Sequence, residues 1–212
     1  MQLLLCSVVG YFFGGISPSY LLAKRKGFDI RESGTGNAGA TNAMFALGFR
    51  SGLLVMVLDI LKAVLSVLVA KLVFAETALA GIVSGISCTV GHIFSPYLHF
   101  RGGKGTACFC GVVISLTPQL ILPMFLLAFL LGMIFNRASI LPLILTAVYP
   151  GLYYLCSDYF AGTMALFLLF PLLLWSHRGN FTKYRNGEET PFRTMLFKHD
   201  LDNCVERKSH DD

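Results

Sequence analysis

Residues 105–135 read GTACFCGVVISLTPQLILPMFLLAFLLGMIF, and whether this run crosses a bilayer once or twice decides the fold. It carries no charge and is longer than the roughly 20 residues one span needs. Thr117-Pro118 falls near its middle, and the residue before a proline is pushed away from helical dihedrals. Read as two short spans, 105–117 and 119–135, the run joins five others at about 2–23, 52–74, 78–98, 138–156 and 160–175. Positive charge chooses between the two counts. With seven spans, the loops 24–51 and 99–104, the turn at 136–137 and everything after Trp175 share one side. That side holds fifteen of the seventeen Lys and Arg residues, and only Lys62 and Lys71 lie elsewhere. A single merged span would send the seven basic residues after Trp175 to the opposite side. Basic residues gather in cytoplasmic loops, so the sequence predicts an all-α integral membrane protein of about seven transmembrane helices, N-terminus outside and C-terminus cytoplasmic.

Composition agrees with a membrane chain. Of 212 residues, 55% are hydrophobic and 14% charged, whereas soluble domains carry about 25% charged residues. Met1–Leu5 has no positive stretch, so no cleavable signal peptide is expected. The six cysteines (6, 88, 108, 110, 156 and 204) show neither CxxC nor another metal spacing, and read as small packing residues. No metal, cofactor or nucleic-acid partner is expected. There is no internal repeat. Residues 1–189 form one polytopic membrane domain, and 190–212 a polar, flexible cytoplasmic tail. Asp59 and Lys62 lie three residues apart inside the second span, on one helical face. Ionisable groups at that depth are costly; here they form either an ion pair that fixes packing or part of a polar site.

Three polar segments fall on the basic side. SGTGNAGATN (33–42) has no bulky side chain. Main chain exposed by glycine, with short hydroxyl and amide groups, can wrap a small anion. If the chain is helical from 43 onward, Thr41 and Asn42 cap it, where the helix dipole also favours an anion. The second segment, GHIFSPYLHFRGGKGTA (91–107), places Gly102, Gly103, Lys104 and Gly105 at the start of a span, a second phosphate cradle. It is not a nucleotide P-loop, because Lys104 is followed by Gly105. The third, HRGNFTKYRNGEE (177–189), follows Trp175, an interfacial anchor. Its basic residues suit anionic lipid headgroups, while His177 and Asn180 share a face if the stretch is helical. Two anion cradles beside a His/Asn segment point to phosphate-bearing lipid chemistry or transport.

Taken in order, SGTGNAGATN, GH at 91–92 with FRGGKG at 100–105, and HRxN at 177–180 closing with GxE at 187–189 resemble the bacterial acyl-phosphate-dependent glycerol-3-phosphate acyltransferases. The resemblance runs from GGISPSYLLAK (14–24) to Glu189. It implies a membrane enzyme that moves a fatty acyl group from an acyl phosphate to the 1-hydroxyl of glycerol 3-phosphate, giving lysophosphatidic acid and phosphate. It places the site on the cytoplasmic side of the bacterial plasma (inner) membrane. Thr35, His92 and His177 become the candidate catalytic residues. Ser33, Gly34, Gly36, Asn37, Gly39, Thr41, Asn42, Gly102, Gly103, Lys104, Gly105 and Asn180 become the substrate-binding ones, with Glu189 as structural support. Expected partners are glycerol 3-phosphate, fatty acyl phosphate, membrane lipids and, as a candidate, the soluble enzyme that forms acyl phosphate.

The chemistry fits. An acyl phosphate already carries a good leaving group, so positioning and charge neutralisation suffice and no acyl-enzyme intermediate is expected. The HxxxxD signature of acyl-CoA-dependent acyltransferases is missing: Tyr97, Lys104 and Thr182 stand five residues after His92, His99 and His177. The chain departs from the family pattern at Thr35 (usually Ser), at Phe45 (usually Arg) and at Ser95-Pro96, where the proline sits one place late. Arg50 or Arg31 are the candidates to replace the missing guanidinium. Rival readings are a transporter of a phosphorylated metabolite and a non-catalytic relative.

Overall fold

The computed structural model describes residues 1–137, 140–187 and 192–193, and every regular element among them is helical. α1 (Gln2–Gly15) and α2 (Pro18–Arg25) form one apolar rod broken at Ile16-Ser17. Pro18 opens α2 without an N–H to lose, and the Ser17 hydroxyl accepts from Tyr20 N–H at 3.4 Å. α3 (Ala40–Leu47) turns through Gly48 into the 25-residue α4 (Phe49–Val73). α5 (Ala80–Ile93), α6 (Thr106–Leu116) and α7 (Ile121–Phe135) follow. The chain continues through α8 (Leu141–Ser157), α9 (Phe160–Leu166), α10 (Leu169–Ser176) and α11 (Arg178–Arg185).

The break expected at Thr117-Pro118 is present. α6 stops at Leu116, Thr117 leaves helical dihedrals (φ −146°, ψ 70°), and a 3-10 turn at Pro118–Leu120 leads into α7. The buried Thr117 hydroxyl meets Tyr149 Oη of α8 at 3.0 Å, so the turn is tied into the bundle. Among the described residues, three runs are long and apolar enough to cross a membrane: Gln2–Arg25, Phe49–Val73 and Pro118–Phe135. Phe160–Ser176 makes a fourth if it is joined to Arg178–Arg185 across a 45° bend. One expected span needs correction. The helix expected over 78–98 ends at Ile93, because Ser95-Pro96 starts a turn that carries His99 and Phe100 to positive φ. The run over Phe160–Ser176 turns at Phe167-Leu168, where both residues keep right-handed helical dihedrals.

Close packing rests on missing side chains. A Cβ at Gly10 or Gly14 of α1 would overlap the carbonyl oxygens of Ser84 or Cys88, and one at Gly91 the carbonyl of Tyr11. Membrane helices gain most from such backbone approach, since lipid offers no hydrophobic drive for association. Ile82, Phe109, Val112, Tyr149, Leu166 and Leu173 fill the core between α5, α6, α8, α9 and α10. Leu122, Phe125, Leu130 and Ile134 of α7 face outward, as expected of a helix turned toward lipid.

Candidate active site

The break in the first rod leaves carbonyls without a helical partner. Ser95 Oγ donates to Gly15 O at 2.6 Å, and Lys62 Nζ to Ile16 O at 2.6 Å. These bonds fix one end of the bundle, where the three polar segments lie.

In the first segment, the Asp29 carboxylate accepts from Arg31 N–H at 2.9 Å and from its guanidinium at 2.6 Å. Arg31 reaches on to Leu98 O at 2.8 Å, with Tyr20's ring beneath it. The guanidinium holds the Asp29 carboxyl below the usual carboxylate range. A depressed value means that this support is present above the ordinary carboxylate pKa and is lost as pH falls through the lowered one. Gly34 and Gly36 take positive φ (57° and 72°), a conformation other residues adopt only with strain.

Asn42 organises the loop. It is buried, its Oδ1 accepts from Thr35 N–H at 2.6 Å, and its Nδ2 donates to Ile30 O at 2.7 Å and Ser33 O at 3.0 Å. This corrects the capping expectation: α3 starts at Ala40 with Gly39 at its cap, so Asn42 sits inside the first turn and folds back on the loop. Asn42→Ala leaves Thr35 N–H, Ser33 O and the buried Ile30 O without this partner. Lost hydrogen bonds with unsatisfied partners predict a cost of about 3 kcal/mol, read as a lower unfolding midpoint in detergent, with Thr41→Ala, at an exposed side chain, unchanged.

In the second segment, Gly103 N–H donates to His92 O at 2.9 Å and Gly102 N–H to Ile93 O at 3.0 Å. These two N–H groups are therefore bonded to the main chain of the α5 end. The glycines are needed for space: a Cβ at Gly102 would overlap His92 O, and one at Gly103 would overlap His92 Nε2 and lie 3.0 Å from Ala38 O. Gly105, at φ +87°, caps α6 and aims its first turn at the loop.

In the third segment, His177 lies buried at the bend between α10 and α11. Its Nδ1 is 2.9 Å from Leu173 O, an acceptor only, so Nδ1 carries the proton and Nε2 the lone pair of the neutral ring. Burial lowers its pKa, and the Lys104 charge acts the same way. The neutral form therefore stabilises the fold above the ordinary histidine value, and that contribution is lost as pH falls through the lowered one.

These segments meet. Lys104 Nζ donates to Asn180 Oδ1 at 2.5 Å, and Ser176 Oγ to Lys104 O at 2.8 Å. Arg31 joins the first segment to the second at Leu98, and Gly103 abuts Ala38. The first segment thus meets the second at Ala38 and Gly103 and at Arg31 and Leu98, and the second meets the third through Lys104, Ser176 and Asn180. Thr35 and Thr41 are exposed on this side, while His92 is buried beneath it. Glu189 lies outside the described residues. Arg31, a candidate for the guanidinium missing at position 45, is engaged by Asp29 and Leu98. Phe45 stands two-thirds exposed beside Gly34.

Sequence reasoning passed over Ser176, although it immediately precedes His177. It also did not foresee that Lys62 and Asp59 would meet His92, since only the packing of α4 on α5 brings them together. Asp59, His92 and Cys108 place potential metal-ligand atoms within 4.8 Å of one another, but Lys62 Nζ stands 2.7 Å from Asp59 Oδ1 and 2.9 Å from His92 Nδ1. The Lys62 amine thus lies against two of these three groups.

A family model described as glycerol-3-phosphate acyltransferase matches residues 4–187. The chain is 35% identical over 191 residues to a glycerol-3-phosphate acyltransferase of Clostridioides difficile (strain 630). It is 37% identical over 186 residues to glycerol-3-phosphate acyltransferase 1 of Deinococcus radiodurans. Each alignment covers 88% of this chain and 93% of the relative. Among solved structures, the fold is similar to PlsY (YgiH), an integral membrane glycerol 3-phosphate acyltransferase, in its glycerol 3-phosphate form. The TM-score is 0.82 at 28% identity, over 92% of this chain and 98% of that one. The lysophosphatidic acid form gives 0.77 at 29% identity, over 90% and 95%. With a family model covering residues 4–187 and relatives above 30% identity over most of its length, the chain belongs to the glycerol-3-phosphate acyltransferase family.

Proposed function

We propose that this membrane acyltransferase moves a fatty acyl group from an acyl phosphate to the 1-hydroxyl of glycerol 3-phosphate. The hydroxyl oxygen attacks the acyl carbonyl carbon, the bond from that carbon to the phosphate oxygen breaks, and an ester and inorganic phosphate result. The hydroxyl proton passes to the departing phosphate, so no acyl-enzyme forms. The observation that carries this reading is the Lys104–Asn180 contact, which closes the glycine-lined segments against His177.

Lys104 and the first turn of α6 neutralise a phosphate. Thr35, Ser33, Asn37 and Thr41 offer short polar groups to the second reactant, on main chain bent by Gly34, Gly36 and Gly39. His177 and Asn180 bound the pocket. Asn42, Gly102, Gly103 and Gly105 hold the loops in shape, and Glu189 supports the closing segment. Such a site works by placement and electrostatics. Residues 1–189 form the acyltransferase domain, which crosses the bacterial inner membrane seven times, with the N-terminus outside. The site faces the cytoplasm. The reactants arrive from that side, the acyl phosphate through the lipid or from the soluble enzyme that makes it.

The test uses purified protein in detergent or lipid with glycerol 3-phosphate and either acyl phosphate or acyl-CoA. Equimolar phosphate and lysophosphatidic acid are expected from the first donor and little product from the second. Product from acyl-CoA alone would overturn the donor assignment, and product from neither would overturn the function.

A further inference from the structure

Lys62, Asp59 and His92 form a cluster that the proposed reaction leaves without a role. Lys62 Nζ has three neighbours within hydrogen-bonding distance: Ile16 O at 2.6 Å, Asp59 Oδ1 at 2.7 Å and His92 Nδ1 at 2.9 Å. The first and third of these are hydrogen bonds and the second is an ion pair; an ammonium has three donors and no acceptor. The contact between Nζ and Nδ1 allows one proton between them. Either Lys62 is charged and the ring offers its lone pair, or Lys62 is neutral and the ring is an imidazolium. Free lysine is the stronger base by about four pH units. The Asp59 carboxylate adds to this preference, since its Oδ1 lies nearer Nζ than Nδ1, which is 3.4 Å away. The remaining titratable neighbours are two buried thiols, Cys88 of α5 and Cys108 of α6, the latter donating toward Asp59 O at 3.6 Å.

With Nδ1 an acceptor, the ring proton sits on Nε2. That edge lies against Gly103, where a Cβ would overlap Nε2 and would lie 3.0 Å from Ala38 O. The ring edge therefore faces the seam between the two glycine-rich segments, while His92 O holds Gly103 N–H from the main chain. We propose that Lys62 and Asp59 are positioning residues that lock His92 as a neutral Nε2–H donor facing the Gly103 seam, so that His92 orders the site and is not the base that takes the hydroxyl proton. The same ammonium grips Ile16 O at the break in the first rod, so one buried charge registers α1, α4 and α5 against the loop. The statement about the base rests on the acyl-transfer reading, whereas the protonation state does not.

The test is nitrogen NMR of protein carrying 15N-histidine, with the His92 signal assigned by its loss in His92→Gln. At neutral pH the unmodified protein is expected to show the neutral ring with the proton on Nε2. Lys62→Met removes the cation but leaves the Asp59 charge, and the ring is expected to become an imidazolium. The double variant Asp59→Asn with Lys62→Met is expected to return it to neutral. An imidazolium, or a proton on Nδ1, in the unmodified protein overturns the proposal, and that reading needs neither folded variants nor turnover. In kinetics, the glutamine amide can replace the Nε2–H donor. His92→Gln is therefore expected to exceed His92→Leu in kcat by about tenfold, the worth of roughly one hydrogen bond. Equal loss in both would mark His92 as a base.

Discussion

Lys104→Ala is expected to lower kcat/KM by about 10²- to 10³-fold, the loss seen when a preorganised charge or donor is removed from a developing anion. The prediction follows from placement. Lys104 stands directly before the Gly105 cap of α6, its ammonium reaches Asn180 Oδ1, and its carbonyl accepts from Ser176 Oγ. The main-chain bond survives truncation, so the loop keeps its anchor and the protein is expected to unfold within a few degrees of the unmodified chain. Lys104→Arg keeps the charge but replaces a compact ammonium by a planar fork, and is expected to recover part of the activity. Full activity in Lys104→Ala would show that phosphate is held elsewhere.

Gly103→Ala should cost about 10²-fold in kcat/KM through geometry alone. The added Cβ would overlap His92 Nε2 and lie 2.8 Å from its Cε1 and 3.0 Å from Ala38 O. The ring cannot yield, because Lys62 and Asp59 hold its far side, so the loop must move. A displacement near 1 Å in a site that works by placement costs about that factor. Gly179→Ala is the control, since a Cβ there meets nothing within 4 Å; its activity and midpoint are expected to stay unchanged. Equal behaviour of the two variants would contradict the packing account.

These variants show where the sequence was readable. Thr117-Pro118 announced its break because proline acts on its neighbour's dihedrals, a local effect visible in any sequence. The three polar segments stood out because hydroxyl, amide and glycine residues have no place in a lipid-facing helix. Their internal roles were less legible. Gly102 and Gly103 could serve an anion or a tight fit, and the close approach of His92 that makes the fit tight comes from another helix. Asn42 looked like a cap because nothing in ATNAMF says that α3 begins at Ala40. Lys62 and Asp59 suggested an ion pair from their spacing, yet Ile16 O and His92 Nδ1 come from other helices, thirty or more residues away. Local rules found the elements, and tertiary packing assigned the partners.

The central claim is that the segments around residues 33–42, 102–105 and 177–180 enclose one anion-binding site on one side of the membrane. The most direct measurement places single cysteines at 41 and 179, both exposed, in protein with Cys156 and Cys204 changed to serine, reconstituted in oriented vesicles. An impermeant thiol reagent is expected to reach both from the same side, and glycerol 3-phosphate, but not glycerol, to slow both reactions. Labelling from opposite sides, or no protection at either position, would contradict the account.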